Sequence, residues 1–335
     1  MDNLAVDSMI EHQETLINTL PGVAEQTCHV AFGVDNHYAR GMGVTLFSLL
    51  ENNPDVLFHI HVFGTGLNAD VRQKLLELAA HRALAITLYT YHAGCFDALP
   101  SIGRYGKSIY YRIFIPLLLS DGVSRVIYLD ADMLCVGSIQ PLIDMSLGAN
   151  TLCAVNDNKR ARTTLCPELN LTSGNYFNSG FLYINIPLWL ERKTTERLLA
   201  LITTKGGYFR FPDQDALNVV LEKEMLLLPK KYNHIYDIIA NKVGYRPEVP
   251  SDTVIIHFTG KCKPWHLWGA GSLAELYTSY YQRSPWQTVP LDLPTHHKEM
   301  KRYAYILWLQ KRYSLSLLWL IKYVKSKFFH VGTTQ

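Results

Sequence analysis

The sequence predicts an α/β protein built on a mostly parallel, doubly wound sheet, and three observations carry that reading. Strand-like runs rich in β-branched and aromatic residues alternate with stretches of helical spacing over roughly the first 130 residues, the rhythm of β-α-β units. The apolar segment RVIYLDADM (residues 125–133) runs straight into two carboxylates, and open α/β sheets place ligands beyond the carboxyl ends of their strands. The 335 residues are 48% hydrophobic with a net charge of +3, a composition that packs a sizeable core and excludes a disordered chain.

The elements follow in order. CHVAFGV (28–34) reads as a buried strand, and HYARGMGVTLFSLLEN (37–52) as the helix after it. VLFHIHVF (56–63) is the next strand. Asn68 is the expected N-cap of ADVRQKLLELAAHRA (69–83), whose apolar positions keep helical spacing. LAITLYTY (84–91) is a third strand. KSIYYRIFIPLLLS (107–120) reads as a helix that Pro116 bends or shortens, and RVIYLD (125–130) follows as a strand. The second half is less regular. TLCAVND (151–157), YFNSGFLYINI (176–186) and DTVIIHF (252–258) read as strands, PLWLERKTTERLLALITT (187–204) and PDQDALNVVLEK (212–223) as helices. Residues 158–175 and 229–251 read as long loops with a role in substrate binding.

Charge is distributed unevenly. From Lys298 to Lys327 eight Lys or Arg stand against one acid, Glu299, a local charge of +7 that leaves the rest of the chain at −4. Read as one helix, residues 301–329 put Leu307, Ser314, Leu318 and Ile321 near one face, with Lys311, Lys322 and Lys325 elsewhere around it. This basic, aromatic tail fits either a helix packed on the main domain or a segment lying on an anionic membrane surface. Basic residues confined to one such tail argue against nucleic acid as a partner. The apolar run YSLSLLWLI (313–321) is too short to span a bilayer, which takes about 20 residues. The N-terminal MDNLAVDSMIEHQETL lacks the basic and apolar regions of a signal peptide. Six cysteines without a C-x-x-C pair read as free thiols in a reducing compartment, and the expected location is cytoplasmic.

Asp130 and Asp132 face the same way in an extended segment, so two like charges lie side by side unless a cation sits between them or one holds a proton. Paired carboxylate oxygens suit Mg²⁺ or Mn²⁺, particularly one shared with phosphates. A bare D-x-D arises by chance about once in a chain this long, so its strand-end position carries the reading. A haloacid-dehalogenase-like phosphatase with Asp130 as nucleophile is an alternative, although three strands precede the motif and no G-D-x-x-x-D follows it. A non-catalytic sugar-binding, membrane-associated module is another. In VIIHFTGKCKPWHLW (254–268) a strand ends at His257, a possible metal ligand, and the turn beyond it carries Gly260, Lys261 and Lys263, of which a lysine could hold a diphosphate. Acids at the start of PDQDALN fit a helix dipole. Arg112, within YYRIF, fits an ion pair or a phosphate contact.

Taken together, AFGVDNHY, YYRIF, VIYLDADML, YFNSGFLYIN, FPDQDALN and IHFTGKCKPWH, in this order from Cys28 to Trp268, resemble glycosyltransferase family 8, and most of all its bacterial lipopolysaccharide core glucosyl- and galactosyltransferases. SPWQTVPLDLP (284–294) and the basic tail are similar to that branch too. The resemblance implies a GT-A-type nucleotide-binding fold with an N-terminal extension (1–27), a catalytic domain (28–270) and a C-terminal membrane-associating helical region (271–335). It implies retaining transfer of glucose or galactose from UDP-glucose or UDP-galactose to a hexose of the lipopolysaccharide outer core, in an α-1,2 or α-1,3 linkage, with Mn²⁺ or Mg²⁺ as cofactor. The enzyme would sit in the cytoplasm, peripheral on the inner membrane.

By motif match Asp130, Asp132 and His257 would hold the metal. Phe32, Gly33, Asp35 and Asn36 would lie at the nucleoside. Arg112, Ala131 and Asn178 would join the donor site, Gly260 and Lys263 would hold the diphosphate, and Asp157, Asp213 and Gln214 would face the donor sugar as catalytic residues. Two positions depart from the pattern: Val34 stands where a second acid is common, and Ser179 where Ala is common.

Overall fold

The computed structural model describes residues 6–22, 27–80, 82–101, 106–240 and 248–328. The chain divides into two compact units, residues 1–235 with 251–257, and residues 236–250 with 258–335. Its strands are β1 (Ile10–Asn18), β2 (Thr27–Gly33), β3 (Leu57–Gly64), β4 (Leu84–Tyr91), β5 (Arg125–Leu129), β6 (Met133–Cys135), β7 (Leu152–Asn156), β8 (Phe177–Asn185), β9 (Met225–Leu227), β10 (His234–Asp237) and β11 (Ile255–Thr259). Its helices are α1 (Ala39–Glu51), α2 (Ala69–Ala79), α3 (Tyr111–Leu118), α4 (Gln140–Ile143), α5 (Lys159–Glu168), α6 (Ile186–Glu191), α7 (Thr194–Lys205), α8 (Pro212–Leu221), α9 (Ser272–Tyr281), α10 (His297–Leu309) and α11 (Tyr313–Phe328).

The first unit holds an eight-stranded sheet in the order β1-β4-β3-β2-β5-β8-β7-β9. Its centre, β4-β3-β2-β5, is parallel, while β1 and β8 run against their neighbours. The mostly parallel, doubly wound expectation therefore describes the centre, where β-α-β crossovers force parallel pairing. A cluster built from α3, α6, α7 and α8 packs on Ala31, Phe63, Tyr89 and Tyr128 of the sheet. Leu46, Leu49 and Leu75 of α1 and α2 are buried outside that cluster. Asn68 caps α2 as expected, its side chain accepting from Val71 N. β11 pairs antiparallel with β6, setting His257 opposite Met133.

Five readings change. Residues 10–18, assigned to an N-terminal extension, form the edge strand β1, hidden by the run of polar side chains an edge strand keeps in water. The segment 187–204 is two helices, because Lys193 adopts a left-handed φ of 48° between α6 and α7. The loop expected at 158–175 begins with α5, capped by Asn158 accepting from Ala161 N. Its mostly polar residues carry little apolar periodicity. The loop expected at 229–251 includes β10, and its residues 241–247 lie outside the described residues. The tail is a pair of helices, broken at Lys311 (φ 61°), so Leu307 is buried while Leu318 and Ile321 are exposed, and they share no face.

In the second unit, Tyr236, Phe258, Trp265 and Tyr277 form a chain of ring contacts. Arg302 of α10 donates to the carbonyls of Trp268 and Ile238. α10 and α11 pack through Ala304, Leu307 and Trp319. Among the described residues no helix is long and apolar enough to cross a membrane. All six cysteines are free thiols, as expected.

Candidate active site

β5 ends at Leu129 and delivers Asp130 and Asp132 to the carboxyl edge of the sheet. Two side chains flank them, an imidazole and a guanidinium. His257 Nε2 lies 3.2 Å from Asp132 Oδ1 and 3.9 Å from Asp130 Oδ2. On the other side, the buried Arg112 donates to Asp130 Oδ1 at 2.9 Å, and its Nε lies 3.3 Å from Asp213 Oδ2. Burial works against the Arg112 charge, but Asp130, Tyr128 and Asp213 outweigh it and hold its pKa above the ordinary value. Tyr128 donates to Asp130 Oδ1 at 2.9 Å and carries the guanidinium over its ring at 4.7 Å. Arg112 thus makes the ion pair that its motif allowed.

One nitrogen of His257 and one oxygen from each of Asp130 and Asp132 lie within 4.8 Å of one another, a donor set able to hold a metal ion. Two carboxylate oxygens and an imidazole suit a hard divalent cation held about 2.1 Å from each ligand. The backbone leaves room for it. A Cβ on Gly180 would come within 2.4 Å of His257 Cε1 and 2.7 Å of Asp130 Oδ2, so only glycine fits against this cluster.

The tautomer of His257 follows from a chain of hydrogen bonds. Gly180 N–H donates to Asn178 Oδ1 at 3.1 Å, which identifies that atom as the oxygen. Asn233 Nδ2 also donates to it, at 3.0 Å, so the other end of Asn233 is an acceptor. That acceptor, Asn233 Oδ1, lies 3.0 Å from His257 Nδ1, which must carry the hydrogen. Nε2 is the nitrogen that faces the acid pair, and a bound cation would take its lone pair.

From Asn178 the network continues. Asn178 Nδ2 donates to Asp157 Oδ2 and to Gln214 Oε1, at 3.2 and 3.1 Å. Gln214 Nε2 donates to Asp157 Oδ2 and Tyr176 Oη, and Gln214 Oε1 accepts from Ser179 N at 2.9 Å. Ser179 Oγ donates to Asp213 Oδ2 and accepts from Arg112, which closes a ring back to Asp130. Tyr176 in turn donates to Asp215 Oδ1 at 2.5 Å. Burial raises the pKa of both Asp213 and Asp215, and Arg112 offsets the effect at Asp213.

Of the residues singled out from sequence, Arg112, Asp130, Asp132, Asp157, Asn178, Asp213, Gln214 and His257 belong to this one network, with Ala131 between the acids, its carbonyl accepting from Thr45. The end of β2 and the loop after it hold the others of the first unit. Asp35 Oδ1 accepts from the amides of His37 and Tyr38, and Asn36 bridges Gly66 O and Asn68 N. Phe32 is fully buried, so its side chain belongs to the core and only backbone is left to meet a ligand. A Cβ on Gly33 would lie 3.1 Å from Tyr111 Cβ. Gly260 and Lys263 belong to the second unit. Gly260 has φ 84° and packs on the Asp237 carboxylate, while buried Lys263 donates to Phe258 O at 2.9 Å. Sequence reading missed Tyr176, Asn233 and Asp215. Tyr176 and Asp215 lie inside quoted motifs, but nothing around Asn233 marks it.

An open α/β sheet with a D-x-D pair at its carboxyl edge, faced by a histidine from a separate three-stranded sheet (β10-β11-β6), is the arrangement expected of a GT-A-type glycosyltransferase. Sequence comparison agrees: the profile of Glycosyl transferase family 8 matches residues 29–269, and that of Glycosyl transferase family 8 C-terminal matches 273–327. The chain belongs to glycosyltransferase family 8. Lipopolysaccharide 1,2-glucosyltransferase of Escherichia coli strain K12 is 32% identical over 312 residues, 90% of this chain and 91% of that one. Lipopolysaccharide 1,3-galactosyltransferase of Salmonella typhimurium strain LT2 is 32% identical over 309 residues, 89% and 91% of the two chains. The crystal structure of the galactosyltransferase LgtC with donor and acceptor sugar analogs shares the fold, with a TM-score of 0.65 at 24% identity, over 78% of this chain and 97% of that one. Family membership sets aside the phosphatase and the non-catalytic module.

Proposed function

We propose that the enzyme transfers glucose or galactose, with retention, from UDP-glucose or UDP-galactose to a hexose of the lipopolysaccharide outer core. The observation that carries this is the hydrogen-bond network that joins Asp130 through Arg112 and Ser179 to Asp213 and Gln214, and His257 through Asn233 and Asn178 to Asp157 and Gln214. The acceptor class is taken from the two relatives that match nearly the whole chain. Their linkages, 1,2 and 1,3, bracket the expected product.

Asp130, Asp132 and His257 hold Mn²⁺ or Mg²⁺. When bound, the cation supplies Lewis-acid stabilisation of charge on the departing diphosphate. Gly260 and Lys263 are assigned the diphosphate by their motif. The loop at Gly33, Asp35 and Asn36 takes the nucleoside. Arg112, Asn178, Asp157 and Asp213 surround the donor sugar. Both hydrogens of the Gln214 amide and both lone pairs of its oxygen have protein partners, so the side chain is poorly disposed to attack a sugar carbon. This supports front-face departure and attack, with Gln214 as a fixed dipole beside the reacting centre.

The tail extends the proposal to the inner leaflet of a membrane, with the enzyme in the cytoplasm. Leu317, Leu318, Leu320, Ile321, Val324 and Phe328 of α11 are exposed, with Lys322, Lys325 and Lys327 interleaved. Exposed apolar side chains flanked by lysines suit an anionic headgroup layer, where each basic residue contributes about 1 kcal/mol.

The test is transfer itself. Purified enzyme is incubated with Mn²⁺, truncated core lipopolysaccharide and each UDP-sugar in turn, and the product linkage is determined. One UDP-hexose should give a single α-linked product. Transfer from neither UDP-glucose nor UDP-galactose would overturn the donor assignment, and hydrolysis without transfer to any core acceptor would overturn the acceptor assignment.

A further inference from the structure

Three histidines stand on adjacent parallel strands, apart from the network just described. His29 of β2 pairs in register with His59 of β3, and His61 is two residues further along the same face. One nitrogen from each lies within 4.8 Å of the others. His29 Nδ1 and His61 Nε2 are 3.0 Å apart. Two rings are held from behind: His61 Nδ1 lies 3.1 Å from Tyr89 Oη, and His59 Nε2 lies 2.8 Å from Thr87 Oγ1. Hydroxyl partners on the outer nitrogens orient imidazole ligands toward a shared point. His61 is buried and the other two are half-buried, so the cluster is reachable from solvent at one side.

We propose that His29, His59 and His61 form a second cation site, which takes a borderline transition ion such as Zn²⁺ and leaves a fourth position open. Three imidazoles without a carboxylate favour Zn²⁺, Co²⁺ or Ni²⁺ over the hard cations suited to Asp130 and Asp132. The ligands are ready for it, because burial keeps all three rings neutral near pH 7, with His29 lowered to about 4. Two ligand nitrogens at about 2.05 Å from one ion and 3.0 Å from each other subtend an angle of about 95°, which a small opening of the pair brings to tetrahedral. With His61 protonated on Nδ1 toward Tyr89, loading needs one tautomer change, the His29 hydrogen moving from Nδ1 to Nε2, and no net proton release. The site is separate from the acid pair. The β2–β5 register sets Val30 beside Ile127, which places His29 level with Val126, four residues or roughly 13 Å short of Asp130. His61, opposite Ala31, is level with Tyr128, so a cation here ties β2 to β3 at mid-strand, a structural or regulatory role.

Untagged full-length protein carrying Asp132→Asn, which weakens the first site, is titrated with ZnCl₂ by calorimetry. One Zn²⁺ per chain should bind, and adding His59→Gln should weaken binding about a hundredfold or more. Absence of binding, or affinity indifferent to His59→Gln, overturns the proposal. A second measurement needs no substitution in the cluster. In the unaltered full chain, Zn²⁺ but not Mg²⁺ should reduce carbethoxylation of His29 and His59 at least tenfold by mass spectrometry. Equal labelling with and without Zn²⁺ overturns it as well.

Discussion

Asn233 Oδ1 accepts a hydrogen bond from His257 Nδ1 at 3.0 Å, and through it the ring is held with Nε2 facing Asp130 and Asp132. Partners on the outer nitrogen of a ligand histidine commonly change metal affinity by about 10–100-fold. Asn233→Ala should therefore weaken Mn²⁺ binding by about that factor in calorimetry or Mn²⁺ paramagnetic resonance. Asn233→Asp keeps an acceptor for His257 and should lose less. Unchanged affinity in Asn233→Ala would remove the residue from any role in orienting His257.

The two aspartates should separate in stability though not in activity. From sequence they read as repelling charges whose removal costs the fold little. Asp130, however, is the closest carboxylate to the buried Arg112. Asp130→Ala should destabilise the fold by about 3 kcal/mol, the low end for an uncompensated buried charge because Asp213 remains as a second partner. Asp132→Ala should cost clearly less, and both should abolish metal-dependent transfer. Denaturant midpoints measured side by side decide it, and equal losses would contradict the Arg112 argument.

Tyr176 is fully buried between Gln214 and Asp215. Tyr176→Phe leaves a hydrogen of the Gln214 amide and an oxygen of Asp215 without that partner. The expected cost is about 1–3 kcal/mol in stability. Turnover should fall about tenfold, with little change in KM for the donor, because the binding groups stay in place while Gln214 loosens. A wild-type turnover number would show that the position of Gln214 does not depend on this hydroxyl.

The histidine cluster predicts acid sensitivity in metal-free protein. Burial, then the neighbouring imidazoles, lowers His29 from 6.5 to about 4 and holds His61 well below 6.5. Between those values the unfolded chain binds more protons than the folded one, so stability rises with pH from about 4 to 6.5 and is lost on acidification. Denaturation in chelator across that range should show the slope, and His61→Phe should flatten it. A slope unchanged by His61→Phe would assign the acid sensitivity to other groups.

The exposed face of α11 should govern membrane attachment without touching the chemistry. Replacing Leu317, Ile321 and Val324 by Ser, with Lys322→Gln and Lys325→Gln, leaves Trp319 packed on α10. Flotation with anionic vesicles should drop to background, while UDP-sugar hydrolysis continues. Added salt should weaken attachment of the unaltered enzyme. Vesicle binding that survives these changes would rule out this face.

Local patterning in the sequence determined much of this protein. Apolar runs and helical spacing located the central strands and α1 to α3, since each element carries its own propensity and burial period. The placement of Asp130 and Asp132 was legible because a strand end shows in sequence as an apolar run stopping at charge, whereas His257, read as a strand end, lies inside β11, which runs on to Thr259. Only the tertiary structure decided what those groups meet. Asn233 reaches His257 across 24 residues, Tyr176 reaches Asp215 across 39, and Arg112 reaches Ser179 across 67. The edge strand β1 needed β4 beside it, because its polar residues carry no buried stripe of their own. The breaks at Lys193 and Lys311 depended on left-handed backbone that no glycine announces. Hydrogen-bond partners and charge compensation are properties of juxtaposed surfaces, and a one-dimensional pattern records each surface without recording which one it faces.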